Sequence, residues 1–89
     1  MEIAIIAHDV KKEDLIKFLI KNSAVLKNKD INLIGTGTTG GKAEAAGFTT
    51  RRMLSGPLGG DAQIASRVSE GKTKMVLFFK VLLSRHLHQ

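Results

Sequence analysis

The apolar stretch IAIIA, residues 3–7, carries the clearest structural signal in this sequence. The polar pair His8 and Asp9 ends it abruptly. An uninterrupted apolar run of this length is typical of a parallel strand that is buried on both faces. The stretch MVLFF, residues 75–79, has the same character, so we expect a second buried strand near the other end of the chain.

The segment after the first strand has the periodicity of an amphipathic helix. Its apolar residues recur at helical spacing, with lysines between them: Leu15, Ile16, Leu19, Ile20 and Leu26. Asp9 is the expected N-cap of this helix, and Asn28 lies near its expected end.

Shorter elements are predicted between this helix and the last strand. In order, they are a strand at 32–34, a glycine-rich loop at 35–41, a short helix at 42–46, an extended segment at 48–54, a second glycine-rich loop at 55–61 and a helix at 62–70. Strands that alternate with helices predict a parallel sheet with helices on both faces. We therefore expect an α/β fold of three layers, formed as a single domain over residues 1–89, since the sequence has no internal repeat and no linker.

Composition narrows the class of protein. The chain has 89 residues and a net charge of +6. It has no cysteine, and this excludes a disulfide framework and a thiolate metal site. No apolar run reaches the roughly 18 residues of a membrane span, and the first residues do not resemble a secretory signal, so we expect a cytoplasmic protein without membrane contact. The charge favours an anionic partner, although surplus lysine also serves solubility alone. Nucleic acid is not expected, because the chain has neither Tyr nor Trp to stack on bases.

Polar segments follow three of the predicted strands. They are His8 and Asp9 with Lys12, residues 36–40, and residues 55–61. In an open parallel sheet, ligands bind beside the carboxyl ends of the strands. Each segment alone is compatible with a simple tight turn, but all three together predict one binding site at this edge.

The segment TGTTG, residues 36–40, has the chemistry of a phosphate site. Glycine lets the backbone amides approach an anion, threonine adds hydroxyl donors, and the N-terminus of the helix that follows carries partial positive charge. Lys12 would add a full charge, unless it is an ordinary solvated lysine. The segment matches neither the Walker pattern nor the dinucleotide GxGxxG pattern, so nucleotide binding is not indicated.

Asp61 follows two glycines and opens a predicted helix. It has two interpretations: an N-cap, which is common for Asp at such a position, or a general base beside a substrate. No set of His and carboxylate residues has the spacing of a metal site, and we expect none.

Four segments, in this order, resemble the methylglyoxal synthases of bacteria: IIAHD at 5–9 with Lys12, GTGTTG at 35–40, LSGPLGGDAQI at 54–64, and EGK at 70–72 with Phe78 and Phe79. The resemblance runs from about residue 2 to residue 79, and SGPLGGD at 55–61 is its most specific part. It implies the three-layer fold of that family, shortened here at the C-terminus.

The resemblance also implies an activity. Methylglyoxal synthases are lyases that convert dihydroxyacetone phosphate to methylglyoxal and inorganic phosphate through an enediolate, without metal or cofactor, and they are usually homohexamers. The implied catalytic residues are Asp61 as general base, His88 as a donor to the substrate oxygens, and Asp9. The positions implied to line the pocket and bind phosphate are His8, Lys12, Thr36, Gly37, Thr38, Thr39, Ser55 and Gly56.

The C-terminal end departs from the family pattern. Val81 stands where the family has an active-site Asp, and family members continue past the position of Gln89. A sheet that lacks its last strand has an open edge, so we expect self-association. Two alternatives to an active enzyme stay open: a sensor domain that binds a phosphorylated metabolite without catalysis, and an inactive shortened copy. A basic nucleic-acid module would explain only the charge.

Overall fold

The computed structural model describes residues 1–53 and 59–80 of the chain. Its strands are β1 (Glu2–Ala7), β2 (Asn32–Thr36), β3 (Thr50–Met53) and β4 (Thr73–Phe79). They form one sheet in the order β3-β2-β1-β4, and all three pairings are parallel. The predicted parallel sheet is therefore confirmed.

Helices cover both faces of this sheet. They are α1 (Lys12–Lys21), α2 (Ser23–Leu26), α3 (Gly37–Ala45) and α4 (Gly60–Ser69), with a 3-10 turn at Asp9–Lys11. Helices α1 and α3 pack on one face, and α4 packs on the other. The three-layer α/β arrangement agrees with the sequence prediction.

Strand β1 supplies both halves of the core. Ile3 and Ile5 join Leu15 and Leu19 of α1 on one face, whereas Ala4 joins Ile64 of α4 on the other. No residue from 3 to 5 is more than 3% exposed. The burial of β1 on both faces, which its continuous apolar run predicts, is confirmed.

Strand β4 is less buried than its sequence predicts. It pairs with β1 on one side, and no other described strand pairs with its second side. Met75, Val76 and Phe78 are 47%, 40% and 53% exposed. Among the described strands, this continuous apolar run thus forms an edge strand, because burial depends on the neighbours of a strand as well as on its own sequence.

The long helix predicted after β1 is interrupted at Asn22, which separates α1 from α2. The Asn22 side-chain amide donates to the Phe18 carbonyl oxygen at 2.8 Å, and the Asn22 backbone amide donates to the same oxygen at 3.1 Å. Asp9 is not the N-cap of α1: it lies in the 3-10 turn, and Lys11 precedes the helix. The turn forms because the Lys11 amide donates to the His8 carbonyl oxygen at 2.8 Å.

A partly buried ion pair ties together three elements at the amino edge of the sheet. The Arg67 guanidinium of α4 donates to both carboxylate oxygens of Glu2 in β1, at 2.8 and 2.7 Å. The Thr73 hydroxyl at the start of β4 donates to the same carboxylate. These hydrogen bonds, with Arg67 foremost, lower the pKa of Glu2 from 4.5 to about 2.

Replacing Glu2 tests this pair. Because the pKa of Glu2 is lower in the folded chain, the pair stabilises the fold above about pH 4.5, and this contribution disappears as the pH falls towards 2. We expect Glu2→Gln to lower the free energy of unfolding at neutral pH by about 1–2 kcal/mol and to flatten its dependence on acidic pH. Urea denaturation over a pH series measures both, with Glu13→Gln at an exposed position of α1 as control. Equal pH dependence in both variants would contradict the assignment.

None of the described strands pairs with the second side of β4, and an unpaired strand edge favours self-association by edge pairing. The amide of His8 donates to the Phe79 carbonyl oxygen, so the backbone N–H and C=O of Phe79 face β1. These groups alternate in direction along a strand, so the backbone N–H and C=O of Val76 face away from β1. Val76→Pro therefore removes an outward donor and leaves the pairing with β1 intact. Sedimentation velocity should show concentration-dependent association of the wild-type chain and weaker association of the variant. A wild-type chain that stays monomeric at every concentration would overturn the expectation.

Candidate functional site

The carboxyl ends of all four strands lie at one edge of the sheet, because every pairing is parallel. His8 and Asp9 follow β1 there, and α3 begins directly after β2. This agrees with the position that the sequence predicts for the site. Ser55, Gly56, His88 and Val81 lie outside the described residues.

Helix α3 begins at Gly37, whereas the sequence predicts a loop through Gly41. Thr36 is the last extended residue, and the chain turns into the helix without an intervening loop. The glycine-rich segment is therefore the first turn of a helix. Its backbone amides lie at the carboxyl edge, where the first amides of a helix have no partner within the helix and favour an anion.

The threonines of this turn differ in exposure. Thr38 is exposed, Thr36 is partly buried, and Thr39 is 1% exposed. Thr38 is therefore open to a ligand from solvent, while Thr39 lies within the packed interior. Their predicted roles in binding phosphate stay predictions.

Gly35 lets α3 lie close against the sheet. A Cβ atom on Gly35 of β2 would lie 3.1 Å from Ile5 Cγ1, 3.3 Å from the Ile5 carbonyl oxygen and 3.3 Å from the Gly40 amide nitrogen. These distances are shorter than ordinary contacts, so a Cβ atom at Gly35 would push its neighbours apart. Because Gly35 has no side chain, the first turn of α3 packs closely against β1 and β2. This packing fixes the position of the first backbone amides of α3.

Lys12 is held at the same edge by Asp9. Its ammonium forms an ion pair with the Asp9 carboxylate, and its side chain is only 12% exposed, against 94% for that of Asp9. The hydrogen bond from Lys12 and its charge lower the pKa of Asp9. Lys12 is therefore not the freely solvated lysine of the alternative interpretation: its charge is fixed near the start of α1.

His8 and Phe78 meet beside this turn. Their ring centroids are 5.9 Å apart with an interplanar angle of 84°, an edge-to-face arrangement. Phe78 enters the sequence prediction only as part of the family resemblance, not as a site residue. The apolar run MVLFF gives no sign of this contact, which depends on the pairing of β1 with β4.

Asp61 lies in the first turn of α4, at the carboxyl edge of the sheet. Gly59 is the residue at the N-cap position, with φ of 100°, so the N-cap interpretation of Asp61 is wrong. The left-handed conformation at Gly59 is one that glycine adopts without steric cost. The side chain of Asp61 lies outside what the structure describes, and its role as a base stays a prediction.

The described part of the chain contains neither a cluster of metal-binding side chains nor a membrane-spanning helix. Within residues 1–53 and 59–80, no group of three or more His, Asp or Glu side chains is placed to hold a metal ion. In the same residues, no helix is long and apolar enough to cross a membrane.

Known proteins with similar sequences decide the family. The methylglyoxal synthase of Clostridium beijerinckii is 49% identical over 90 residues, an alignment that covers 100% of this chain and 74% of the relative. That of Thermus thermophilus is 44% identical over 88 residues, 98% of this chain and 68% of the relative. This chain belongs to the methylglyoxal synthase family. No protein-family model matches it.

A solved structure agrees with this assignment. The crystal structure of methylglyoxal synthase from Elizabethkingia anophelis NUHP1 superposes with a TM-score of 0.82 at 41% sequence identity. The alignment covers 92% of this chain and 53% of that one, so the present chain spans about half the length of the solved methylglyoxal synthase. The resemblance inferred from the four sequence segments is confirmed, and with it the family fold.

A matched pair of alanine substitutions tests the close packing of α3. Gly35→Ala forces Cβ against backbone atoms of Ile5 and Gly40, so we expect a loss of about 1–3 kcal/mol in the free energy of unfolding. Gly37→Ala should cost little, because the nearest atom to its Cβ, the Met53 carbonyl oxygen, is 3.9 Å away. Urea denaturation of both variants measures the difference, and equal stabilities would contradict the packing argument.

Proposed function

We propose that this chain is a carbon–oxygen lyase that converts dihydroxyacetone phosphate to methylglyoxal and inorganic phosphate. Membership of the methylglyoxal synthase family supports the reaction. The observation that carries the proposal for this chain is that the amide end of α3, the Lys12–Asp9 pair and the first turn of α4, which contains Asp61, all lie at the carboxyl edge of one sheet.

The phosphate group of the substrate would bind at the start of α3. The amides of its first turn and the exposed Thr38 hydroxyl offer donors, and the ammonium of Lys12 offers a full positive charge. Asp9 holds that ammonium at the edge. The remaining positions that we propose for phosphate and pocket contacts are His8, Thr36, Gly37, Thr39, Ser55 and Gly56.

Asp61 would be the general base. Its carboxylate removes a proton from the carbon that carries the hydroxyl group, and the electron pair forms an enediolate. The enediolate then expels phosphate by breaking the carbon–oxygen bond at the other end of the substrate. The enol that remains takes up a proton and becomes methylglyoxal. Donors near the substrate oxygens, His88 among them in this proposal, would stabilise the negative charge of the enediolate.

These steps use proton transfer and charge stabilisation by side chains, and the proposal therefore invokes no metal ion and no cofactor. A general base contributes about 10²–10⁴ to the rate of such a reaction. The product phosphate would leave from the same α3 terminus that binds the phosphate group of the substrate, so inorganic phosphate should compete with the substrate.

A second candidate is a domain that binds a phosphorylated metabolite without catalysis. The observation that favours it is that the features proposed to bind phosphate, the α3 terminus and Lys12, belong to other elements than α4, which contains Asp61. The presence of Val81 where the family has an acid also favours it, as it favours an inactive chain, because a valine neither orients hydroxyl groups nor transfers protons.

Substitution of Asp61 distinguishes these functions. We expect the wild-type chain to release methylglyoxal and phosphate from dihydroxyacetone phosphate, and Asp61→Asn to lower kcat by about 10²–10⁴ because the amide cannot accept the proton. Calorimetric titration with inorganic phosphate should give similar affinities for both chains. Asp30→Asn is the matched control, since Asp30 precedes β2 and therefore lies near the opposite edge of the sheet.

The other outcomes are equally informative. Phosphate binding with no turnover in either chain would establish the binding domain and reject the lyase. Turnover that Asp61→Asn leaves unchanged would reject Asp61 as the base. Neither binding nor turnover in a folded chain would reject both functions.

A further inference from the structure

Helix α3 contains two consecutive glycines, Gly40 and Gly41, that are not among the residues proposed to bind phosphate. Glycine inside a helix is less stable than alanine, so two in succession call for a structural reason. The structure shows one, because both glycines lie beneath the side chain of Arg52 in β3.

The Arg52 side chain lies along the surface of α3. Arg52 pairs with Gly35, the residue against which α3 packs, so its side chain is on the α3 face of the sheet. A Cβ atom on Gly40 would lie 3.1 Å from Arg52 Cγ, which is shorter than an ordinary contact. A Cβ atom on Gly41 would lie 3.4 Å from Arg52 Cζ and 3.5 Å from Nη2. The aliphatic part of Arg52 therefore packs on Gly40, and its guanidinium lies over Gly41.

The guanidinium of Arg52 is paired with Glu44, three residues further along α3. Its Nε donates to the Glu44 carboxylate, and the two side chains are 56% and 42% exposed. Within residues 1–53 and 59–80, no other ion pair joins α3 to a strand. Arg52 thus connects α3 to β3 through packing and through charge.

The start of α3 lies beside the end of β3. The atom nearest to a Cβ atom on Gly37 would be the Met53 carbonyl oxygen, at 3.9 Å. Gly35 lets α3 pack closely on β1 and β2, whereas Arg52 attaches it to β3. The two residues therefore hold the helix against different strands of the sheet.

We propose that Arg52 is a positioning residue for the phosphate site, and that with Glu44 it holds the first turn of α3 in a fixed place beside β3. This inference rests on the proposed function, in which the amides of that turn bind phosphate. Glu44 lies near the end of α3, so the ion pair draws the guanidinium away from the N-terminus of the helix. Arg52 therefore acts through the position of the amides and not by contact with the anion.

Substitution of Glu44 separates a positioning effect from an effect of charge. Glu44→Gln removes a negative charge from α3, so charge alone would make inorganic phosphate bind more tightly. Loss of the fixed position makes it bind more weakly. We expect the dissociation constant of inorganic phosphate, measured by calorimetric titration of the full chain, to rise about two- to fivefold, the size expected from an exposed ion pair.

Arg52→Gln and the double variant complete the titration series. Because Arg52 and Glu44 act as one pair, we expect both single variants and the double variant to bind phosphate about equally weakly. Charge alone predicts opposite effects that cancel in the double variant. Glu70→Gln is the matched control: it removes the exposed pair with Lys72, and Glu70 follows α4 and so lies near the opposite edge of the sheet. It should bind phosphate like wild type.

Three results of the titration would overturn the inference. They are tighter binding by Glu44→Gln, unchanged binding by either single variant, and an equal loss of affinity in Glu70→Gln. The last result would mean that any loss of an exposed ion pair weakens phosphate binding.

Hydrogen exchange gives a second readout that needs no ligand. In a helix that begins at Gly37, the amides of residues 41–43 donate to the carbonyls of residues 37–39 and close the first turn. We expect these amides to exchange about two- to fivefold faster in Glu44→Gln and Arg52→Gln, but not in Glu70→Gln. If the wild-type chain binds no phosphate, the proposed function fails, and exchange alone decides whether Arg52 holds α3. Equal exchange in all chains would overturn the inference.

Discussion

The parallel pairing of β1 with β2 on one side and β4 on the other is the constraint on which the rest of this structure depends. It is possible because β1 is apolar on both faces and is covered by helices on both. Ile5 pairs with Gly35 and with Leu77, so the ends of the three strands are aligned. The candidate site residues in the described part of the chain lie at or after those aligned ends.

The amino and carboxyl edges of the sheet carry different kinds of interaction. At the amino edge, Glu2 binds Arg67 and Thr73 and so ties β1 to α4 and β4. At the carboxyl edge, the first backbone amides of α3 favour an anion, and the ammonium of Lys12 is paired with the Asp9 carboxylate. The Glu2–Arg67 pair therefore lies at the opposite edge of the sheet from the helix-terminal amides that the proposed site would use.

Sequence similarity establishes the family of this chain, whereas the geometry of the carboxyl edge describes how its own residues are arranged there. The similarity to known methylglyoxal synthases establishes the family and the fold. The geometry shows how this chain builds the edge where those segments meet: Gly35 admits α3 close to the sheet, and Asp9 holds Lys12. Charge and packing of the chain's own residues thus supply the physical basis on which the activity is proposed.

The sequence by itself determined the fold class and the order of the main strands and helices, and it predicts a site at the carboxyl edge of the sheet. Continuous apolar runs, helical periodicity and glycine-rich segments are local signals, and the four family segments were enough to indicate the family. The same local signals misplaced the start of α3 at Lys42, because glycines are typical of loops and nothing local shows that they lie against a sheet.

Only the tertiary structure decided which side chains meet. Glu2 and Arg67 are far apart in the sequence, as are His8 and Phe78, and their contacts depend on strand order and register. The exposure of β4, whose sequence is as apolar as that of β1, was decided in the same way. The burial of a residue and its contacts depend on which segments pack beside it. The sequence pattern within one segment does not specify those neighbours.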